Sequence, residues 1–144
     1  MAFLRGHQCS IAPMASVGET SNGKDPLTHE IIGAVFSVSS WLGPGLLESA
    51  YEECLCIELG QRGLRFDRQP TVPFTYRAIR IEHGFRPDLI VEEQVIVEVK
   101  AVRKFLSAHE AQLLTYLRLS GLHVGLMINF HEHPILNGIK RMVF

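Results

Sequence analysis

The stretch Arg86–Lys100, RPDLIVEEQVIVEVK, restricts the fold of this chain more than any other. Two apolar runs, Asp88–Val91 and Val95–Val99, flank the polar triplet Glu92-Glu93-Gln94, so the segment reads as an antiparallel hairpin. Register follows from burial. A three-residue loop pairs Val91 with Val95 and Leu89 with Val97, which gathers the apolar side chains. The same pairing sets Asp88 opposite Glu98 on one face, with Lys100 two residues further along. A two-residue turn would send the two acids to opposite faces. Apolar burial and the meeting of the acids therefore favour one register.

The flanking sequence predicts what surrounds the hairpin. From Leu27 the pattern turns helical, with Thr28 as N-cap and Ile31, Ile32, Val35, Phe36 and Trp41-Leu42 near helical period. Gly43-Pro44-Gly45 ends that helix. A second, about Leu46 to Gly60, carries Leu47, Tyr51, Cys54, Leu55 and Glu58 on one side, with Glu48 half-buried at the border of the stripe. Strands follow at Leu64–Arg68, Thr71–Tyr76 and Ile79–Glu82. After the hairpin come a helix at Ser107–Leu119, an apolar strand at His123–Phe130 and a last strand at Ile139–Phe144. The order α-α-β-β-β-β-β-α-β-β predicts an α/β domain with a mixed central sheet flanked by helices. Residues 27–144 form that domain. Residues 1–26, with the Gly- and Pro-broken ASVGETSNGKDP, read as a disordered leader in which Met14 could be the true start.

Composition narrows the class. A chain of 144 residues suits one domain with a real core, and 47% hydrophobic with 20% charged residues describes an ordinary globular protein. No apolar run approaches the roughly 18 residues of a membrane span, and no continuous apolar stretch marks a secretory signal. Cys9, Cys54 and Cys56 are too few for a disulfide framework and suit a reducing cytoplasm. A net charge of -1 argues against indiscriminate polyanion binding. Arg62, Arg65, Arg68, Arg77, Arg80, Arg86, Lys100, Arg103 and Lys104 nevertheless crowd the middle of the chain. They form either solvated strand edges or a phosphate-facing strip.

Two carboxylates that meet as Asp88 and Glu98 do repel each other unless something neutralises them. A hard cation, Mg2+ or Mn2+, accepts oxygen ligands and keeps waters for catalysis. Lys100 beside it could orient or deprotonate the attacking water and stabilise charge building on a phosphate. The plainer alternative is a solvent-facing strand of alternating charge. Spacing alone leaves both open, because an E-x-K tripeptide is common.

The segment Gly45-Leu46-Leu47-Glu48-Ser49-Ala50-Tyr51 resembles the motif of the GxxExxY protein family, which belongs to the PD-(D/E)XK nuclease superfamily. The resemblance runs from about His29 to the C-terminus. It takes in Gly43-Pro44-Gly45, Arg86-Pro87-Asp88, Glu98-Val99-Lys100, His109–Leu117 and Gly125–Phe130. It implies a restriction-endonuclease-like fold, with Asp88 and Glu98 as metal-binding acids and the Val99 carbonyl as a further ligand. Lys100 matches the superfamily lysine, and Glu48 the helix-borne acid that approaches the metal directly or through water. Gln112 and Tyr116 resemble a Q-x-x-x-Y element of nuclease domains in recombination helicase-nucleases. They share a helix face with each other and with His109, and a core aromatic with a wet hydroxyl is the other reading of Tyr116.

Other constellations offer less. Cys54 and Cys56, two apart on a helix, point to different faces and suit no zinc or iron–sulfur site. His131-Glu132-His133 reads as a polar loop before Pro134, and no phosphate-cradling glycine loop is present. The expected activity is Mg2+- or Mn2+-dependent hydrolysis of DNA phosphodiesters by metal-activated water, with a homodimer as a way to improve grip. The alternatives are a silent nucleic-acid- or protein-binding module on the same fold, and a purely structural oligomerising protein.

Overall fold

The computed structural model describes residues 25–144; the expected leader up to residue 24, with Met14, lies outside them. Helix α1 (Pro26–Leu42) begins at Asp25, whose carboxylate accepts from the Leu27 N–H (3.1 Å) and the Thr28 hydroxyl (2.7 Å). Pro26 at the first helical position loses nothing by lacking an N–H, so the helix starts before Thr28 rather than at it. Thr28 is buried and braces the true cap. Ile31, Ala34, Val35 and Val38 form the buried face, whereas Phe36 and Trp41 are exposed. Helix α2 (Glu48–Gln61) buries Tyr51, Leu55 and Leu59. Leu47 precedes it and stands in solvent, off the stripe it was expected to join. Cys54 and Cys56 are free, half-buried thiols, and each packs partly against the core that α1 and α2 share.

The strands are β1 (Phe66–Arg68), β2 (Val72–Tyr76), β3 (Ile79–Phe85), β4 (Leu89–Val91), β5 (Val95–Lys100), β6 (Val124–Asn129) and β7 (Ile139–Val143), with α3 (Ser107–Ser120) between β5 and β6. Five of them make a mixed sheet in the order β1-β4-β5-β6-β7, while β2 and β3 form a separate two-stranded ribbon. The hairpin has the register that burial demands: Leu89 faces Val97 and Val91 faces Val95. Glu92 and Glu93 take φ of 51° and 56° to turn the chain, and the Gln94 N–H closes on the Val91 carbonyl at 3.0 Å. Helix α3 then carries the chain across to β6, which runs parallel to β5.

Strand alternation divides the interior into two cores. Val95, Val97 and Val99 face α1 and α2, and Ile96 with Ile90 faces Leu113 and Leu117 of α3. A one-residue slip would strip three valines of this burial, on the order of 6 kcal/mol at ~2 kcal/mol each. The same alternation turns Asp88, Glu98 and Lys100 toward the α3 side. That helix lies close to the sheet because Gly125 has no side chain; a Cβ there would meet Leu113 at 2.8 Å. No helix among the described residues is long and apolar enough to cross a membrane.

Asp67 sits opposite Ile90 in the sheet and is 5% exposed. Burial pushes its carboxyl up to about 7, with the charge of Glu93 adding to the effect. Its folded pKa lies above the unfolded value, so the folded state holds the proton through that window and loses stability as pH rises through it. Unfolding in urea should therefore show a loss of ~2 kcal/mol between about pH 4 and about pH 8 that Asp67→Asn removes. An unchanged pH profile in that variant would mean that Asp67 is solvated.

Candidate active site

The hairpin brings Asp88 and Glu98 into reciprocal contact. The Asp88 N–H donates to Glu98 Oε1 at 3.1 Å, and the Val99 N–H donates to Asp88 Oδ2 at 2.8 Å. Each carboxylate is thereby held by backbone through one oxygen, and among the described residues its second oxygen makes no such bond. The Glu98 side chain is 7% exposed and that of Lys100 18%. Lys100 Nζ lies 4.0 Å from Glu98 Oε2, near enough for attraction and too far for a hydrogen bond.

The electrostatics follow from this packing. Burial above all, and then the charge of Asp88, raise the Glu98 carboxyl to about 8 against the opposing pull of its hydrogen bond and Lys100. Burial also raises Asp88, against the bond from Val99. The donor set fits a hard divalent cation: a buried and a half-buried carboxylate, each with a spare oxygen, and one distant ammonium between them. Val99 adds to it. In an extended strand the N–H and C=O of one residue leave on the same side, so its carbonyl shares the side of the N–H that reaches Asp88. The Lys100 carbonyl points the other way and accepts from the Phe130 N–H at 2.9 Å.

Glu48 is exposed, contrary to the half-buried position expected of it, because it is the first residue of α2 and lies outside the packed face. Its Oε1 accepts from the Ala101 N–H at 3.2 Å, just past the end of β5, and its charge raises Asp88. Glu48 thus borders the acids, although among the described residues no three His, Cys, Asp or Glu converge into a ready-made cage. The motif residues around it have visible jobs. Gly45 takes φ 108°, a region that other residues rarely adopt. The Tyr51 hydroxyl donates to the Gly43 carbonyl (2.6 Å) and accepts from the Leu46 N–H (3.1 Å). Its ring stacks on Phe130 at 4.6 Å, so the turn before Glu48 is pinned to the core.

On α3, Tyr116 is half-buried and stacks on Phe85 at 4.4 Å. Its hydroxyl is pushed up by burial and then by the charges of Glu98 and Asp88, which puts it within their field. Gln112 is exposed, four residues earlier on the same face, and makes no hydrogen bond among the described residues. His109 has a local task instead: its Nδ1 accepts the Leu106 N–H at 3.1 Å and closes the start of α3. His131-Glu132-His133 lies in the loop after β6, as expected.

Two residues escaped the sequence reading. Glu52 is 4% exposed, bonds Arg68 Nε (2.8 Å) and Gln69 Nε2 (3.1 Å), and its charge raises both Asp88 and Glu98. Its position one turn after Glu48 was the available signal. Asn129 is 1% exposed and clasps the loop after β5, donating to the Val102 carbonyl (2.7 Å) and accepting from the Val102 N–H (3.1 Å).

The basic residues separate into two sets. Arg62, Arg65, Arg68 and Arg80 are held by Glu30, Glu92, Glu52 with Glu53, and Glu82, and Arg77 lies over the Tyr76 ring at 5.7 Å. Arg86, Arg103 and Lys104 are exposed and make no ion pair among the described residues. They flank the acids in sequence on both sides.

A cation held by the Asp88 and Glu98 oxygens would compete with protons for them. Affinity for Mn2+ should climb with pH by up to about tenfold per unit and level off above about 8. A flat profile in a Mn2+ titration would remove Glu98 from the ligand set.

Residues 25–142 match a family model described as the PD-(D/E)XK nuclease superfamily. No curated protein and no solved structure matches the chain.

Proposed function

This chain belongs to the PD-(D/E)XK nuclease superfamily, and from that premise we propose that it hydrolyses phosphodiester bonds of DNA with Mg2+ or Mn2+. The observation that carries the reading is the reciprocal pair of half-buried Asp88 and buried Glu98, both of raised pKa, with Lys100 beside them. Asp88, Glu98 and the Val99 carbonyl would hold the cation, with Glu48 reaching it through water. Bound there, it would supply Lewis-acid stabilisation to the phosphate and a more acidic water. Lys100 Nζ orients the attacking water and offsets charge that grows on the phosphate oxygens. Tyr116 shields the α3 side and offers its hydroxyl to a phosphate oxygen. Arg86, Arg103 and Lys104 hold the strand by its backbone. The jobs of Gly45, Glu48 and Tyr51 support the narrower likeness to the GxxExxY family.

A supercoiled plasmid and a labelled single strand, each with Mg2+, Mn2+ or EDTA, test the activity. Cleavage in the presence of either metal and its loss in EDTA is the expected result; no cleavage under any condition would overturn it. A second reading, a binding module without turnover, draws on one fact: each acid already satisfies one oxygen with backbone N–H. It predicts nucleic-acid binding that is indifferent to metal and to Asp88→Asn. The catalytic reading predicts divalent binding that this variant loses.

A further inference from the structure

We propose that a groove between the β2–β3 ribbon and the C-terminal end of α3 is a second phosphate subsite, which takes a backbone phosphate of the same nucleic-acid strand. This rests on the nuclease reading and extends it to how the strand runs. The groove is about 370 Å³, and Thr75, Arg80, Arg118 and Ser120 contribute its polar lining, with no acidic residue among the residues that line it. Thr75 and Arg80 are cross-strand partners and so present one face of the ribbon together. Arg80 uses Nε on Glu82 (2.6 Å), and among the described residues its terminal nitrogens make no ion pair. Arg118 is exposed and makes no ion pair among the described residues. The Arg118 guanidinium beside the half-engaged one of Arg80, with the Thr75 hydroxyl on the ribbon, is the donor set that suits a phosphate.

The C-terminal end of a helix disfavours an anion, but the Leu117 carbonyl there already accepts from the Gly121 N–H (3.0 Å) and the Ser120 hydroxyl (3.2 Å). Position supplies the link to catalysis. Tyr116, Leu119 and Ser120 share one face of α3, so the groove begins about one turn, ~5.4 Å, beyond Tyr116. Tyr116 stacks on Phe85, and Phe85 pairs with Val72 of the groove and leads into Arg86-Pro87-Asp88. The groove thus opens beside the Tyr116–Phe85 stack that borders the acids, and Arg118 lines it further along α3.

The test measures affinity for a labelled single-stranded oligodeoxynucleotide of about 12 nucleotides, in EDTA, across a salt series. Arg118→Gln should weaken binding about fivefold and shrink the salt slope by about 0.7, while Arg118→Lys retains most of the affinity. Arg141→Gln, on the opposite face of the sheet beside Leu126, should change neither. Unchanged affinity in Arg118→Gln, or equal losses in Arg118→Gln and Arg141→Gln, overturns the subsite. Binding of inorganic phosphate that depends on Arg118, with oligonucleotide affinity unmoved, would assign the groove to a free anion and overturn it too. Because EDTA removes metal and turnover, these outcomes are independent of whether the unaltered protein cleaves DNA with Mg2+.

Discussion

Asp88→Asn is expected to lower Mg2+-dependent DNA cleavage at least about a thousandfold, and Lys100→Ala by a comparable factor. The two should separate in stability. Asn at position 88 can still accept the Val99 N–H that Asp88 Oδ2 accepts at 2.8 Å, and it removes a half-buried charge that raises Glu98. That variant should therefore melt higher than the unaltered protein, gaining ~1 kcal/mol at neutral pH, while it loses activity. Lys100→Ala removes the cation that favours both charged carboxylates, so it should lose both activity and a little stability. Undiminished cleavage in both variants would sink the mechanism. A fall in melting temperature for Asp88→Asn would instead show that the acid is structural.

Tyr51→Ala should be the most damaging single change outside the acids, costing ~4 kcal/mol in urea unfolding. The side chain is fully buried, stacks flat on Phe130, and ties two backbone groups of the turn before α2. Tyr51→Phe separates these contributions. It keeps the stack and loses the two hydrogen bonds, so it should cost ~1–2 kcal/mol. Proteolysis at Gly43–Leu46 should accelerate in step, because the pin on the turn is gone. An unaltered unfolding midpoint and cleavage rate in Tyr51→Phe would mean that the hydroxyl holds nothing.

How far the chain could be read in advance depended on how local each determinant was. The hairpin register needs only a three-residue loop and the alternation of valines, and Leu89–Val97 and Val91–Val95 pair as that logic requires. Helix ends were harder. Asp25 rather than Thr28 caps α1, because Pro26 tolerates the first helical position and the pattern of apolar residues does not reveal where the cap sits. Glu48 was placed on the right helix but at the wrong depth. Periodicity assigns an angle around the axis, whereas burial at a helix start depends on what covers that end, and Glu48 stands exposed there. The strip of cations illustrates the same limit: Arg68 and Arg86 look alike in sequence, yet one is clasped by Glu52 and Glu53 and the other makes no ion pair among the described residues.

The amino-acid sequence by itself determined the order of helices and strands, the pairing of Asp88 with Glu98, and the elements on which Glu48, Gln112 and Tyr116 stand. These depend on neighbours within a turn or a hairpin, where covalent connection limits the choices to a few. Only the tertiary structure decided that β2 and β3 leave the sheet as a ribbon beside α3. It also decided that Glu52 lends its charge to the acids from the opposite layer, that His109 serves its own helix, and that Tyr51 pins the turn before Glu48. Each of these depends on packing between segments distant in the chain. The desolvation that raises Glu98 to about 8 exists only once α2, α3 and the sheet have closed around it.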